Sequence, residues 1–245
     1  MTRRRWIADT WTETTASLTG EQAEHLARVL RAEPGQIYDV VAGGFLHRAE
    51  IVSVRPSGSG QSAEVAFTLH EELESDSALP LHLLLAIFKF DHMEWAIEKA
   101  TELGVARITP IIARRSEKHL AQAATKRAER WRRIALEASK QSRRTTIPDI
   151  ADPQPLATAL KEEVSAQRIL LSETEQSMTL LSALQASTSQ DASIALAIGP
   201  EGGWTAEEMA LFTAQGWQHV TLGPRILRAE TAAISAIAIV GSQLG

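Results

Sequence analysis

The chain has 245 residues, 44% of them hydrophobic, with no cysteine and a formal net charge of −5. That length suits two modest domains or one large one, with enough apolar content for a core. The lack of cysteine excludes disulfides, thiol nucleophiles and Cys-ligated metals, and no run approaches the ~18–20 uncharged apolar residues of a membrane span.

Taken in chain order, Met1 to Trp6 carries an Arg triplet, but Asp9 and the polar run Thr12 to Ser17 follow it. No apolar stretch appears there, so no signal peptide is expected, and a cytoplasmic location is. Thr19 to Leu30 predicts a helix with Thr19 as its cap. Gln36 to Val41, Phe45 to Val54 and Ala63 to Leu69 are rich in β-formers, divided by turns at Gly43-Gly44 and Ser57 to Gly60. That spacing predicts a small β-barrel. The acidic, Pro-ended stretch Glu71 to Pro80 separates two expected domains, residues 1–73 and 80–245.

Beyond it, apolar runs and helical patterns alternate. The runs are Leu81 to Phe88, Ile108 to Ala113, Arg168 to Leu171, Ile194 to Ile198 and His219 to Leu222. The helices are His92 to Leu103, Leu120 to Ser142, Pro155 to Ser165, Ser177 to Ala186, Ala206 to Gln215 and about Glu230 to Leu244. Such alternation predicts an α/β fold with a parallel sheet and helices on both faces. Ligands of these sheets bind beyond the carboxyl ends of strands, which directs attention to the residues after Ile198 and Leu222. Ala183 to Ser193 reads as a helix end plus loop.

Charge is unevenly placed. Arg107 to Arg144 holds 12 Lys or Arg against 3 Glu, leaving 13 basic and 27 acidic residues elsewhere. A local excess of this kind suits an RNA backbone, and a solvated helix face explains it equally well.

Ile198-Gly199-Pro200-Glu201-Gly202-Gly203-Trp204 follows a strand and precedes a helix that Thr205 and Glu208 would open as a capping box. Glycines at a strand end let backbone approach a ligand, although a plain turn fits as well. Neither the dinucleotide fingerprint nor a phosphate-binding Lys-Ser/Thr loop is present. Leu222 to Ala232, LGPRILRAETA, also joins a strand to a helix. Its Arg225 and Arg228 could hold a phosphate or base edge, or could simply pair with Glu230. Lys89 lies at a strand end, and Glu98 and Glu102 share a helix face that reads mainly as solvated. Gly104 reads as a helix C-cap. The Trp131 and Ile134 stripe reads as core. The seven His lack metal-ligand spacing, and no serine-hydrolase elbow occurs.

Together these segments resemble the bacterial 16S ribosomal RNA uridine-N3 methyltransferases, RsmE-like members of the knotted SPOUT superfamily. The resemblance is carried by IGPEGG at 198–203 and LGPRILRAETA at 222–232. EKATELGV at 98–105, ITP at 108–110 and Q-S-x-R at 141–144 support it, with HLARVLR at 25–31 and GQIYDVVAGG at 35–44 in the first domain. His92 stands where the family usually has a basic residue, and Lys140 where it often has Glu.

The resemblance implies a C-terminal trefoil knot, a PUA-like RNA-binding barrel before it, S-adenosyl-L-methionine as cofactor, no metal, and a homodimer acting on the small ribosomal subunit. Mapped here, the cofactor residues are Leu171, Ser172, Glu173, Ile198, Gly199, Pro200, Glu201, Gly202, Gly203, Leu222, Gly223, Pro224, Ile226 and Leu227. Arg225 or Arg228 would hold the uridine phosphate or steady charge on the base, and Glu230 or Glu201 would accept the N3 proton. RNA contacts are expected from Arg3, Arg4, Arg5, His25, Arg28, Arg31, Lys89, Arg114, Arg115, Gln141, Arg143 and Arg144. The last helix, with Ile234, Ile237, Ile239 and Val240, would pack at the dimer interface. A related enzyme acting on transfer RNA or another ribosomal site, or a non-catalytic ribosome-assembly factor, are the alternatives. Analysis of modified nucleosides separates them.

Overall fold

The computed structural model describes residues 5–58, 60–73, 78–142, 144–186 and 193–244. Arg3, Arg4 and Arg143 lie outside the described residues. The chain divides into two compact units, Met1–Ser77 with Ser139–Thr146, and Ala78–Ala138 with Ile147–Gly245.

The first unit contains β1 (Arg5–Ile7), β2 (Thr10–Trp11), β3 (Thr15–Thr19), α1 (Gly20–Glu24), β4 (Ile37–Ala42), β5 (Phe45–Arg55) and β6 (Glu64–Leu73). They form one sheet in the order β1-β4-β5-β6-β3-β2. All pairs are antiparallel except β1 with β4. Inward residues alternate along the strands, as in Ala16 and Leu18 or Val65, Phe67 and Leu69, and they enclose Trp6 and Leu26. Register shifts near His47 and Ile51 bend β5. β1 and β2 sit at opposite ends of the sheet order, yet only Ala8 and Asp9 separate them. Ala8 N donates to Val41 O and Asp9 N to Ser17 O, so the sheet is strongly curled.

Three features depart from expectation. The strands β1 to β3 occupy a stretch in which the polar Thr12 to Ser17 run shows no strand signal. The helix from Thr19 is two short pieces, α1 followed by a π-helical turn over His25–Val29. It stops where Arg31 adopts a left-handed φ of 51°, a region costly for a side chain. Thr19 makes no side-chain cap; its hydroxyl donates to Asp9 Oδ2 at 3.1 Å instead.

The second unit contains β7 (Leu79–Ala86), α2 (Phe90–Glu102), β8 (Val105–Ile112), α3 (Lys118–Ser142), β9 (Asp149–Ile150), β10 (Gln154–Pro155) and α4 (Leu156–Glu162). Then come β11 (Gln167–Leu171), α5 (Leu180–Gln185), β12 (Ile194–Ile198), α6 (Ala206–Ala214), β13 (Gln218–Val220) and α7 (Ala229–Leu244). The last four residues of α3 are grouped with the first unit. The sheet order is β10-β8-β7-β12-β11-β13, with β9 also on β8, and every pairing is parallel.

β12 is buried throughout, which explains its unbroken apolar run. Leu196 and Ile198 face one layer with α2, α3, α5 and α7, including buried Trp131. Ala195 and Ala197 face the other with α4 and α6. Gly104, at φ 99°, follows the C-terminus of α2 as expected.

A buried polar chain ties α4 to the sheet. His82 Nε2 lies 2.8 Å from Thr109 Oγ1, and His82 Nδ1 lies 2.5 Å from Glu163 Oε2. The latter is an ion-pair approach without full hydrogen-bond alignment. Ser165 N donates to Glu163 Oε1 at 2.7 Å. Burial alone would raise the Glu163 carboxyl, but His82 and Ser165 outweigh it and hold it at about 2. A carboxyl depressed below its unfolded value stabilises the fold above about pH 4.5, and that contribution is lost as pH falls through about 2. Glu163→Gln should therefore cost ~3 kcal/mol at pH 7. It should also flatten the acid limb of stability between those two pH values, as measured by denaturant titration across pH.

Candidate active site

The carboxyl ends of the parallel strands open onto a cleft of about 1180 Å³ within the second unit. Three loops build most of it: Leu171 to Gln176 after β11, Gly199 to Trp204 after β12, and Thr221 to Ala229 after β13. Lys89 and His92, after β7, and Arg115, after β8, complete the wall. Parallel strands deliver all five segments to one edge because each strand ends on the same side.

The β12 loop is locked by the helix that follows it. Thr205 and Glu208 form the capping box: Glu208 N donates to Thr205 Oγ1 at 3.3 Å and Thr205 N to Glu208 Oε2 at 2.8 Å. The other Glu208 oxygen accepts from Arg114 N at 2.7 Å, so one buried carboxylate joins the β8 and β12 loops. Arg115 Nη1 donates to Gly202 O at 2.7 Å and repeats the tie. Gly203 takes φ 68°, and its N donates to Pro200 O at 2.8 Å to close the turn. The indole of Trp204 lies over Gly199, where a Cβ would meet Nε1 at 3.0 Å.

Glu175 organises the β11 loop. Its carboxylate accepts from the backbone N of Gln176, Ser177 and Met178 and from the Ser177 hydroxyl. The Met178 amide leads these bonds in holding the group at about 2. The loop is stitched to β13 as Ser172 N donates to Val220 O and Thr221 N to Met178 O, each at 2.9 Å.

All fourteen expected cofactor residues line the cleft, as do Arg225, Arg228 and Glu201. Lys89 Nζ stands 3.8 Å from Glu201. Glu230 is not part of the wall. It is buried behind it in the first turn of α7, with Oε1 3.4 Å from His92 Nδ1. The Arg225 or Arg228 pairing with Glu230 therefore does not form: both arginines are exposed at the cleft, without ion pairs among the described residues. Lys99 bonds both Glu98 and Glu102, which removes those carboxylates from acid–base candidacy.

Of the residues expected to touch RNA, Lys89 and Arg115 alone among the described residues line the cleft; Arg114 is exposed beside it. Arg5, His25, Arg28, Arg31, Gln141 and Arg144 belong to the first unit. Arg28 is already engaged, by Glu24 at 2.5 Å and by Ser57 O at 3.1 Å. Arg144 is half-buried, and burial lowers its guanidinium to about 10. In the basic segment, Arg107 pairs with Asp149, Arg127 and Arg130 with Glu94, and Arg132 with Glu129 and Asp152. Lys118, Lys126 and Arg133 remain exposed and without ion pairs among the described residues. Sequence reasoning missed Thr174, Glu175, Thr179 and Thr221 as wall residues. Their signal, Ser/Thr and Glu clustered just after strands, is common in ordinary turns.

Residues 75–241 match the family model described as an RNA methyltransferase domain, the class to which this sheet and cleft conform. A ribosomal RNA small subunit methyltransferase E from Synechocystis sp. is 35% identical over 234 residues, covering 95% of this chain and 74% of that protein. Its counterpart from Bacillus subtilis is 33% identical over 237 residues, covering 94% and 90%. The chain belongs to the ribosomal RNA small subunit methyltransferase E family. The crystal structure of the Neisseria gonorrhoeae member, bound to S-adenosyl methionine, superposes with a TM-score of 0.79 at 30% identity, covering 98% of both chains. A Legionella pneumophila protein in complex with SAM gives 0.79 at 29% identity, covering 99% of this chain and 98% of that one.

Proposed function

We propose that this enzyme transfers the methyl group of S-adenosylmethionine to N3 of one uridine in 16S ribosomal RNA of the small subunit. The observation that carries this reading is the convergence of the Gly199–Gly203 and Leu222–Arg228 loops, separated by α6 and β13, on one cleft. The cleft fits the cofactor. Its volume is somewhat above the ~300–1000 Å³ typical of ligand pockets, so there is room for a cofactor, and the glycine positions keep it clear. At Gly202 a Cβ would stand 3.2 Å from Arg115 Cβ. Backbone of the three loops would hold the adenosine and methionine parts, and Glu173 and Glu201 offer negative charge toward a sulfonium. That cofactor supplies an electrophilic methyl group, so no metal is required.

The chain's own residues then bind and orient the uridine. Arg225 and Arg228 offer free donors to its phosphate or to O2 and O4, and exposed Ile226 lies between them. Lys89, Arg114 and Arg115 extend positive charge along the rim. The target base would leave its stack to enter. We assign residues 80–245 as the catalytic domain. Its C-terminal loops would form a trefoil knot, a reading supported by the placement of β13 beyond β11 and of β12 inside it. Residues 1–73 would be a PUA-like barrel that grips RNA, supported by the curled sheet. The enzyme would work in the cytoplasm as a homodimer. Ile237 and Val240 are buried in its own core and Ile239 packs against it, which leaves half-buried Ile234 of α7 for a partner.

The test is incubation of small subunits lacking the modification with methyl-labelled S-adenosylmethionine. Label should appear in a single nucleotide recovered as 3-methyluridine; label in another nucleoside, or in transfer RNA alone, overturns the reading. Arg228→Ala should slow transfer about 100-fold or more, a loss typical for one charge-stabilising donor, with cofactor affinity by calorimetry unchanged.

A further inference from the structure

We infer that His92 is the residue that takes the N3 proton, with Glu230 behind it as a positioning carboxylate; this rests on the uridine-N3 reading above. N3 of uracil is protonated at neutral pH and becomes a nucleophile only on losing that proton. The titratable residues that line the cleft and could accept a proton are Glu173, Glu175, Glu201 and His92. Glu175 Oε1 accepts four hydrogen bonds, which hold the carboxyl well below the usual range and make it a poor base. Glu201 has Lys89 at 3.8 Å. Glu173 sits in the β11 loop, its Oε2 4.0 Å from where a Gly203 Cβ would be, on the cofactor side. Imidazole, with basicity near neutrality, is also matched to this task better than a carboxylate.

The surroundings of His92 point the same way. It lies in the first turn of α2, half-exposed to the cleft. Nδ1 faces Glu230 Oε1 at 3.4 Å, whereas Nε2 has only the exposed Asp91 carboxylate, at 3.7 Å. The Glu230 side chain is 3% exposed, and its Oε2 has no partner among the described residues. The Nδ1–Oε1 approach is of ion-pair length but not aligned as a hydrogen bond. A buried carboxylate with unused acceptor capacity is costly unless something compensates it. An imidazolium formed during turnover would do so. The arrangement follows the logic of a carboxylate that fixes the tautomer of a catalytic histidine and stabilises its cation.

The N3–H bond breaks, its electron pair stays on nitrogen, and the proton goes to His92 Nε2. N3 then takes the methyl group, the S–C pair remains on sulfur, and His92 later releases the proton to water.

The experiment compares wild type, His92→Gln and Glu230→Gln in single-turnover methylation of small subunits. These subunits carry either uridine or 5-fluorouridine, whose N3 proton is more acidic. Wild type should methylate both. His92→Gln should lose about 100-fold on uridine, as for a removed general base, and recover at least tenfold of that on 5-fluorouridine. Glu230→Gln should lose less and recover likewise, with cofactor binding intact in both variants. Wild-type activity with either variant unimpaired overturns the inference, as does a loss equal on both substrates, because a merely structural defect does not sense N3 acidity. No 3-methyluridine from wild type refutes the functional reading itself.

Discussion

Gly199→Ala should weaken S-adenosylmethionine binding by about 10- to 100-fold without unfolding the protein. The added Cβ would meet Trp204 Nε1 at 3.0 Å and Cε2 at 3.2 Å, tighter than most side-chain contacts. Retreat of half-buried Trp204 is limited on its inner side. Its ring packs edge-on against Phe212, 4.9 Å between centroids, and Phe212 packs against Trp217 at 5.2 Å. Phe212 and Trp217 are both buried in the α4–α6 layer. The loop backbone must therefore shift, and overpacking of this kind costs ~1–3 kcal/mol. Strain expressed in the cofactor-holding conformation converts to that loss of affinity at ~1.4 kcal/mol per tenfold. Gly216→Ala is the control. Gly216 has positive φ, 74°, unlike Gly199, and a Cβ there meets nothing within 4 Å, so Ala should cost stability through the backbone alone and leave affinity unchanged. Calorimetric titration of both variants decides the matter: equal affinities would show that the Trp204 contact does not shape the site.

Glu208→Ala should destabilise the second unit by about 3 kcal/mol, lowering its melting temperature by about 6–12 °C. The carboxylate completes the cap of α6, worth ~1 kcal/mol, and satisfies the Arg114 amide, whose loss leaves a donor unpaired at ~1–3 kcal/mol. Glu208 is only 4% exposed, so water cannot substitute. Glu208→Gln should recover little. Both oxygens accept from backbone N–H groups, and an amide must turn an NH₂ toward one of them. Thermal unfolding followed by circular dichroism would show this; an Ala variant melting within a degree of wild type would falsify the tether.

How much of this was legible in the sequence varied by element. The run IALAI at 194–198 reads as a strand because it is apolar at every position, and the structure buries it on both faces as β12. The capping box was legible because both partners lie within one helical turn. β1 to β3 were not, since β1 and β2 are only three and two residues long and β3 is mostly Thr and Ser, and packing within the sheet supplies the burial of Trp6, Ala16 and Leu18. β9 and β10, two residues each, are strands only by virtue of β8 beside them. Within the site, the glycine and arginine loops could be picked out. The partner of Glu230 could not: nearby Arg225 and Arg228 were the natural choices, and His92 from another helix took the place.

The sequence by itself determined which segments become strands and helices and which turns carry glycine, because periodicity, caps and backbone freedom act over a few residues. Only the tertiary structure decided that β12 lies between β7 and β11 with β13 outside them. That order brings Arg115 to Gly202 and Arg114 to Glu208, 87 and 94 residues apart, and hides Glu230 behind His92. Pairings at that range are set by how whole layers bury their apolar faces, a global balance of packing that no short stretch of chain encodes.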